Sequence, residues 1–258
     1  MVRLENVTYI YSDGPALFHG LEWHAERGVP WSVVGASGAG KTTLLYLLSG
    51  LIEPTTGRVV VDGAPLFRPR PRTGLILQQL GLMPWSTVAG NAYLGLRIRR
   101  FYGPDGVHAP AGQRPTREAA RRSVDHWLDR LGLTEYRDRY PSQLSGGQRQ
   151  RVAIARTMAL EPDLLLMDEP FGALDAPRRR SLQDLLVELE HEAPHTRIVV
   201  THDIDEAVFL GRRIMVLGAG GAMVDLLDNP GGATAGYRET QPFRSMCERV
   251  RQLVEADG

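Results

Sequence analysis

The sequence predicts an α/β fold, in which short buried strands alternate with helices and a helical segment is inserted among them. Three observations predict it. Apolar runs of strand length, such as Trp31–Val34, recur between helical stretches. Residues 35–43, GASGAGKTT, join one such strand to an apolar helix and match the phosphate-binding pattern G-x-x-x-x-G-K-[ST]. Over residues 91–162 strand signals vanish and apolar positions follow helical spacing.

The bulk composition narrows the class of protein. The 258 residues carry 30 basic and 30 acidic side chains, which gives no reason to expect nucleic acid as a primary partner. The only cysteine is Cys247, which suits a reducing compartment. The N-terminus lacks an apolar signal region, and the apolar stretch 44–52 is far shorter than the roughly 20 residues of a membrane span. We therefore expect a soluble, cytoplasmic protein; if it works at a membrane, another chain must hold it there.

The N-terminal segment predicts two strands, residues 2–8 and 20–24, joined by a turn-rich stretch at 12–15. Tyr9 and Tyr11 come at the end of the first strand. One of the two rings could stack on a nucleotide base, although for an isolated tyrosine ordinary strand packing is the better explanation.

The phosphate-binding loop has a direct physical logic. Its glycines let backbone N–H groups converge on a polyphosphate, and the following helix N-terminus adds partial positive charge. Lys41 would neutralise the β- and γ-phosphates, and the Thr42 hydroxyl would bind Mg²⁺.

Two further strands follow the helix that Gly50 and Pro54 end. They are residues 58–61 and 74–77, separated by a connector rich in proline and arginine. The second runs into Gln78, at the strand end where open α/β sheets place ligands. A surface glutamine is the alternative at this stage.

The helical segment 91–162 reads as an inserted subdomain. Residues 101–115 within it are rich in proline, glycine and alanine, which predicts a loop. Arginines flank this loop, and they form either a solvated face or a contact with lipid headgroups or a partner. They are Arg97, Arg99, Arg100, Arg117, Arg121 and Arg122.

A second glycine-rich helix start lies at residues 144–151, LSGGQRQR. Ser145 is a natural N-cap, and Gly146 and Gly147 leave backbone N–H groups open to an anion. One nucleotide does not need two such helix ends in one chain, so the surplus predicts a composite site.

An apolar strand, residues 164–167, then ends in Asp168 and Glu169. Adjacent buried carboxylates need a charge partner, and Mg²⁺ beside a triphosphate is a natural one. Asp168 would hold the ion and Glu169 would polarise water. Downstream we expect a helix from about 177 to 192, a strand 198–201 ending at His202, and a hairpin over 214–226. A tail with one helix completes the chain.

Together these motifs resemble the nucleotide-binding domain of ABC transporters over nearly the whole chain. The family's order is an aromatic residue, phosphate loop, Gln loop, LSGGQ signature, Walker B strand, D-loop and His loop. Here they are Tyr11, residues 35–43, Gln78, residues 144–148, residues 164–169, residues 173–175 and His202. Gln78 is chosen over Gln79 because the family's glutamine stands six residues before the proline of an L-[LM]-P-W segment, here Pro84.

The resemblance implies a P-loop NTPase core with a mixed, mainly parallel sheet, an antiparallel N-terminal part and an inserted helical subdomain. It divides a single domain, 1–258, into a core at 1–90 and 163–226, a helical subdomain at 91–162 and a tail at 227–258. The implied nucleotide contacts are Tyr11, Gly35, Ala36, Ser37, Gly38, Ala39, Gly40, Lys41, Thr42, Thr43, Ser145, Gly146, Gly147, Gln148 and Asp175. Thr42, Gln78 and Asp168 would bind Mg²⁺, and Glu169, His202 and Gln78 would serve hydrolysis.

The implied function is ATP hydrolysis that drives solute import. Two copies would close head-to-tail on ATP, dock on transmembrane permease subunits, and depend indirectly on a periplasmic or lipid-anchored solute-binding protein. The chain would lie peripherally at the cytoplasmic face of the inner membrane. Residues 82–91 and 170–177 look most like importers of the nitrate/sulfonate/taurine class. An exporter or cell-division ATPase is the alternative; a repair or ribosome ATPase fits less well, since long heptads and a second such domain are missing.

Overall fold

The computed structural model describes residues 1–12, 14–101 and 116–256. The strands are β1 (Val2–Ile10), β2 (Ala16–Ala25), β3 (Trp31–Val34), β4 (Thr56–Val61), β5 (Ala64–Pro65), β6 (Thr73–Ile76), β7 (Leu164–Asp168), β8 (Thr196–Thr201), β9 (Arg213–Leu217) and β10 (Met223–Asp228). The α-helices are α1 (Lys41–Ser49), α2 (Val88–Phe101), α3 (Arg117–Arg130), α4 (Gly146–Met158), α5 (Ala176–Glu192), α6 (Ile204–Leu210) and α7 (Gln241–Ala256).

The chain forms two compact units. The first comprises Met1–Arg70, Leu164–Glu169 and Gln183–Gly258, and the second comprises Pro71–Asp163 and Pro170–Leu182. The predicted helical subdomain, 91–162, lies within the second unit, which also takes in β6 and residues 170–182. The finer division into core, subdomain and tail stays a prediction.

The first unit contains an antiparallel sheet with the strand order β2-β1-β4-β5. Strands β1 and β2 extend beyond the predicted 2–8 and 20–24, because Tyr9 pairs with Phe18 and Ile10 with Ala16. Cross-strand pairing of this kind cannot be read from the local pattern alone.

A second sheet of the first unit runs in the order β10-β9-β3-β8-β7. Strand β3 is parallel to both β8 and β9, β7 is parallel to β8, and only β10 is antiparallel to its neighbour. Every residue of β3, β7 and β8 is buried, as is typical of parallel strands covered on both faces. The predicted α/β fold with a mixed, mainly parallel sheet is confirmed.

The register of the parallel strands aligns their carboxyl ends. Val34 pairs with Thr201, and Asp168 pairs with Val200. The loops that follow β3, β7 and β8 therefore leave the sheet at one edge, which is where such sheets bind ligands.

The second unit is built from β6 and the helices α2, α3 and α4. Helix α2 packs against α3 and α4, and α4 also packs against β6. The residues that predicted helical spacing, Val124, Trp127 and Leu128, are buried on α3. Of the predicted loop 101–115, residues 102–115 lie outside the described residues.

The C-terminal segment belongs to the first unit and ends in α7. Helix α7 packs on α6 and on β9, and buries Phe243, Cys247 and Val250. Within residues 1–12, 14–101 and 116–256, no helix is both long enough and apolar enough to cross a membrane.

Candidate active site

The loop between β3 and α1 has the backbone of a phosphate cradle. Gly38 and Gly40 have φ values of 86° and 92°, a left-handed conformation that L side chains rarely adopt. Gly35 is needed for a different reason, because a Cβ there would lie 2.0 Å from the carbonyl oxygen of Leu217. Helix α1 then begins directly at Lys41, so its free N–H groups face the loop.

Lys41 is the anchor of this loop. Its side chain is buried, and Nζ donates to the carbonyl oxygens of Gly35 at 2.9 Å and Ala36 at 2.8 Å. Burial lowers the pKa of the ammonium, and the charges of Glu169 and Asp168 oppose that shift. The amine is thus held inside the loop where phosphate oxygens would lie.

Thr42 and Asp168 meet across α1 and β7. The Thr42 hydroxyl donates to Oδ1 of Asp168 at 3.2 Å. Burial raises the pKa of the Asp168 carboxyl, while the Thr42 hydrogen bond and the Lys41 charge lower it and Glu169 raises it. A buried carboxylate beside a hydroxyl is a hard oxygen pair, and Mg²⁺ typically takes one or two such protein ligands together with substrate phosphates. The residues therefore fit Mg²⁺.

Glu169 and His202 form a pair at the same sheet edge. His202 Nδ1 lies 2.9 Å from Glu169 Oε1, and the His202 side chain is 61% exposed against 20% for Glu169. Glu169 has φ 43°, which turns the chain sharply after β7, and its backbone N–H donates to the carbonyl of Val200. An oriented carboxylate with one side open to solvent can accept a proton from water.

Tyr11 also reaches the phosphate loop. Its hydroxyl lies 2.6 Å from Oγ1 of Thr43, the residue after Thr42 on α1. The Tyr11 ring is 52% exposed, whereas Tyr9 is half-buried and packs edge-on against Tyr11 with 4.8 Å between centroids. Of the two tyrosines, only Tyr11 offers a ring both exposed and joined to α1.

In the second unit, the glycine-rich helix start forms as expected. Ser145 caps α4, with its Oγ accepting from the Gln148 N–H at 3.3 Å, and the Gln148 side chain accepts from the Ser145 N–H at 2.8 Å. This reciprocal pair is a capping box. Ser145, Gly147 and Gln148 border a cavity of about 450 Å³ that Arg151 and Arg178 also line.

The two glycines of this helix start are not required by the chain itself. A Cβ on Gly146 would contact Leu174 at 3.4 Å, and one on Gly147 would come no closer than 3.9 Å to Arg178, which are ordinary van der Waals distances. Neither glycine has a left-handed φ. Neither a close contact nor a left-handed backbone therefore requires glycine at these two positions.

Gln78 and Asp175 also belong to the second unit. Gln78 is exposed in the turn after β6. Asp175 is exposed just before α5, where its Oδ1 accepts from the Arg178 N–H at 3.1 Å and its Oδ2 pairs with the Arg178 guanidinium at 3.2 Å. Its contact with a nucleotide stays a prediction. Thus the first unit gathers Tyr11, the loop, Asp168, Glu169 and His202, and the second holds the remaining predicted residues.

Comparison with known proteins decides the family. The family described as ABC transporter matches residues 18–172. The chain belongs to the ABC transporter family. The resemblance drawn from its motifs is confirmed, and as a family ATPase the chain hydrolyses ATP to drive transport.

Relatives within the family include import ATP-binding proteins. The taurine import ATP-binding protein of Ruegeria pomeroyi is 40% identical over 235 residues, which cover 91% of this chain and 79% of that protein. The nitrate import ATP-binding protein of Synechococcus elongatus is 42% identical over 190 residues, covering 74% and 65%. A dimeric post-hydrolysis ATP-binding cassette bound to ADP and phosphate is similar with a TM-score of 0.73 and 33% identity, covering 88% and 98%.

Two residues that shape this family member's second unit were missed by sequence reasoning. Arg156 on α4 donates to the carbonyl oxygens of Leu80 at 2.5 Å and Gly81 at 2.6 Å, just after Gln78. Asn91, fully buried on α2, donates to the carbonyls of Met83, Ser86 and Thr87 and accepts from the Met83 N–H. The sequence offers only a weak signal for Asn91, which is an asparagine in the first turns of a helix.

Proposed function

We propose that this ATPase powers import of a small anion of the nitrate, sulfonate or taurine type. In this proposal ATP closes two copies head-to-tail, and hydrolysis with Mg²⁺ reopens them. Support for the solute class comes from the relatives named for taurine and nitrate import. The single observation that supports the dimer is the start of α4, because no contact within the chain requires its two glycines.

The proposal that two copies share each nucleotide site rests on the two phosphate-binding helix N-termini in the chain. The N-terminus of α1 and the phosphate loop enclose one set of phosphates, and the capped start of α4 offers a second set of N–H groups. If each nucleotide is held by α1 of one copy and α4 of the other, the contact is twofold and closes. ATP binding then becomes dimer closure.

The first unit supplies the hydrolytic groups. Lys41 would bind the β- and γ-phosphates, and Thr42 and Asp168 would hold Mg²⁺, which when bound would supply charge neutralisation at the phosphates. Glu169 accepts a proton as water oxygen forms its bond to the γ-phosphorus and the bond to the leaving ADP oxygen breaks. His202, hydrogen-bonded to Glu169, contacts the γ-phosphate.

The partners are permease subunits, with a solute-binding protein acting through them. Residues 82–87 form the proposed docking segment, in which Trp85 is 77% exposed. Asn91 fixes this segment with its four hydrogen bonds, so the indole is presented by a rigid loop. A large ring displayed on a fixed backbone suits an interface anchor. The location that follows is peripheral, at the cytoplasmic face of the inner membrane.

The variant Glu169→Gln tests the hydrolytic and dimer proposals together. It keeps the side-chain shape and removes the proton acceptor, so turnover should fall by roughly 10²- to 10⁴-fold while ATP binding survives. The protein should accumulate as an ATP-bound dimer, measured by size-exclusion chromatography with light scattering, with and without ATP.

The second substitution Ser145→Arg should return this variant to monomer, because it places a bulky cation at the shared helix end. Glu248→Gln, on the exposed face of α7, is the matched control and should leave turnover and mass unchanged. A Glu169→Gln protein that binds ATP and stays monomeric would refute the shared site for the isolated chain.

A further inference from the structure

Helix α6 follows directly after His202 and has only seven residues. A helix this short is not stable by itself, so its position depends on tertiary contacts. Asp203 begins it, with Oδ1 accepting from the Glu206 N–H at 3.0 Å. Any displacement of α6 therefore moves the backbone that carries His202.

The far end of α6 is held by Asn229, which is fully buried. Its Nδ2 donates to the carbonyl oxygens of Val208 at 2.7 Å and Gly211 at 2.6 Å, which end the helix. Its Oδ1 accepts from the Tyr237 hydroxyl at 2.5 Å. Three bonds through one amide connect the C-terminal segment to the last turn of α6.

The C-terminal segment approaches the end of α6 so closely that Gly231 and Gly232 have no room for side chains. A Cβ on Gly231 would lie 2.2 Å from the Tyr237 ring, and one on Gly232 would lie 2.0 Å from the carbonyl oxygen of Gly211. The Ala233 N–H donates to the Phe209 carbonyl at 2.7 Å. Backbone is thus packed directly on the end of α6.

A second set of contacts, through Gln183 and Arg238, holds the first turn of α6. Glu206, 3% exposed, accepts from the Gln183 side chain at 3.0 Å. Arg238 donates to Gln183 and, at 2.6 Å, to Asp184, and its guanidinium carbon lies 3.2 Å from the centre of the Phe209 ring. Buried polar contacts of this kind fix geometry because leaving one partner unpaired is costly.

We propose that residues 229–240 are a positioning element for hydrolysis: they hold α6 at both ends and so keep His202 against Glu169. This rests on the proposed role of His202 at the γ-phosphate. Asn229, Tyr237 and Arg238 are then positioning residues that never touch the nucleotide. Because small misplacements of reacting groups are costly, their loss should appear in kcat.

The variant Tyr237→Phe removes one hydroxyl and keeps the ring that packs on Phe243. If the whole worth of that bond goes into placing His202, kcat for ATP should fall by up to about tenfold, with KM unchanged. Arg238→Gln should act in the same direction. Arg249→Gln is the matched control, since Arg249 is exposed on α7 and pairs with Asp225, away from α6.

A double-mutant cycle with His202→Ala separates positioning from general destabilisation. Single-turnover hydrolysis of radiolabelled ATP makes the low rates measurable. Tyr237→Phe should slow the wild type and have no further effect in the His202→Ala background. An equal fall in both backgrounds, no fall in either, or a rise in KM alone would overturn the positioning proposal. If the His202→Ala variant hydrolyses ATP as fast as the wild type, the proposed role of His202 is wrong, and this inference fails with it.

Discussion

His195 makes the stability of the first unit depend on pH. The imidazole lies just before β8 and is 7% exposed. Its Nδ1 lies 2.6 Å from the Ala193 carbonyl, and Nε2 is buried with no hydrogen-bond partner among the described residues. Burial lowers the pKa of His195 from 6.5 to about 4, Arg197 adds to that shift, and the Ala193 hydrogen bond opposes it.

The direction in which stability changes with pH follows from proton linkage. Between pH 6.5 and 4 the unfolded chain binds a proton at this histidine that the folded chain does not, so stability falls as pH falls. At 1.36 kcal/mol per pKa unit, the loss from this group alone is about 2 kcal/mol at pH 5 and approaches about 3 kcal/mol near pH 4. At pH 7 the histidine is mostly neutral in both states, and little stability is lost.

The substitution His195→Asn isolates this effect, because the asparagine amide can still donate to Ala193 and does not titrate. Urea unfolding followed by tryptophan fluorescence at pH 7 and pH 5 gives the free energy at each pH. The drop between the two should be smaller in His195→Asn than in the wild type by about 2 kcal/mol. His24→Asn, on the exposed face of β2, is the control and should keep the wild-type drop. Equal drops in His195→Asn and wild type would refute the reasoning.

Two other predictions concern the nucleotide and the permease. Lys41→Ala should abolish ATP binding or nearly so, because Lys41 is the only lysine of the chain and its buried amine has no substitute in the loop. Isothermal titration with MgATP measures it, and an affinity within about twofold of wild type would contradict the assignment. In a permease complex, cross-linkers placed in the docking segment beside Trp85 should reach the cytoplasmic loops of the membrane subunit. Cross-links that reach only the second ATPase copy would contradict docking there.

The local signals in the sequence determined the parts of the protein whose physics is local. The strand β3, the glycine loop and the start of α1 are contiguous, so their pattern specifies the phosphate cradle without help from distant residues. The same holds for the capping box of Ser145 and Gln148, three residues apart. Asp168 and Glu169 end an unbroken apolar strand, which marked them before any geometry was known.

Only the tertiary structure showed which distant groups meet. Asn229 binds the end of α6 across 18 to 21 residues, and Arg156 binds the turn after Gln78 across 75 and 76. Nothing near either residue in the sequence marks a partner, because a buried amide or guanidinium is satisfied by whichever carbonyl the fold brings to it. Gly231 and Gly232 show the same limit: only the packed structure shows that a Cβ would collide with the Tyr237 ring at Gly231 and with the Gly211 carbonyl oxygen at Gly232.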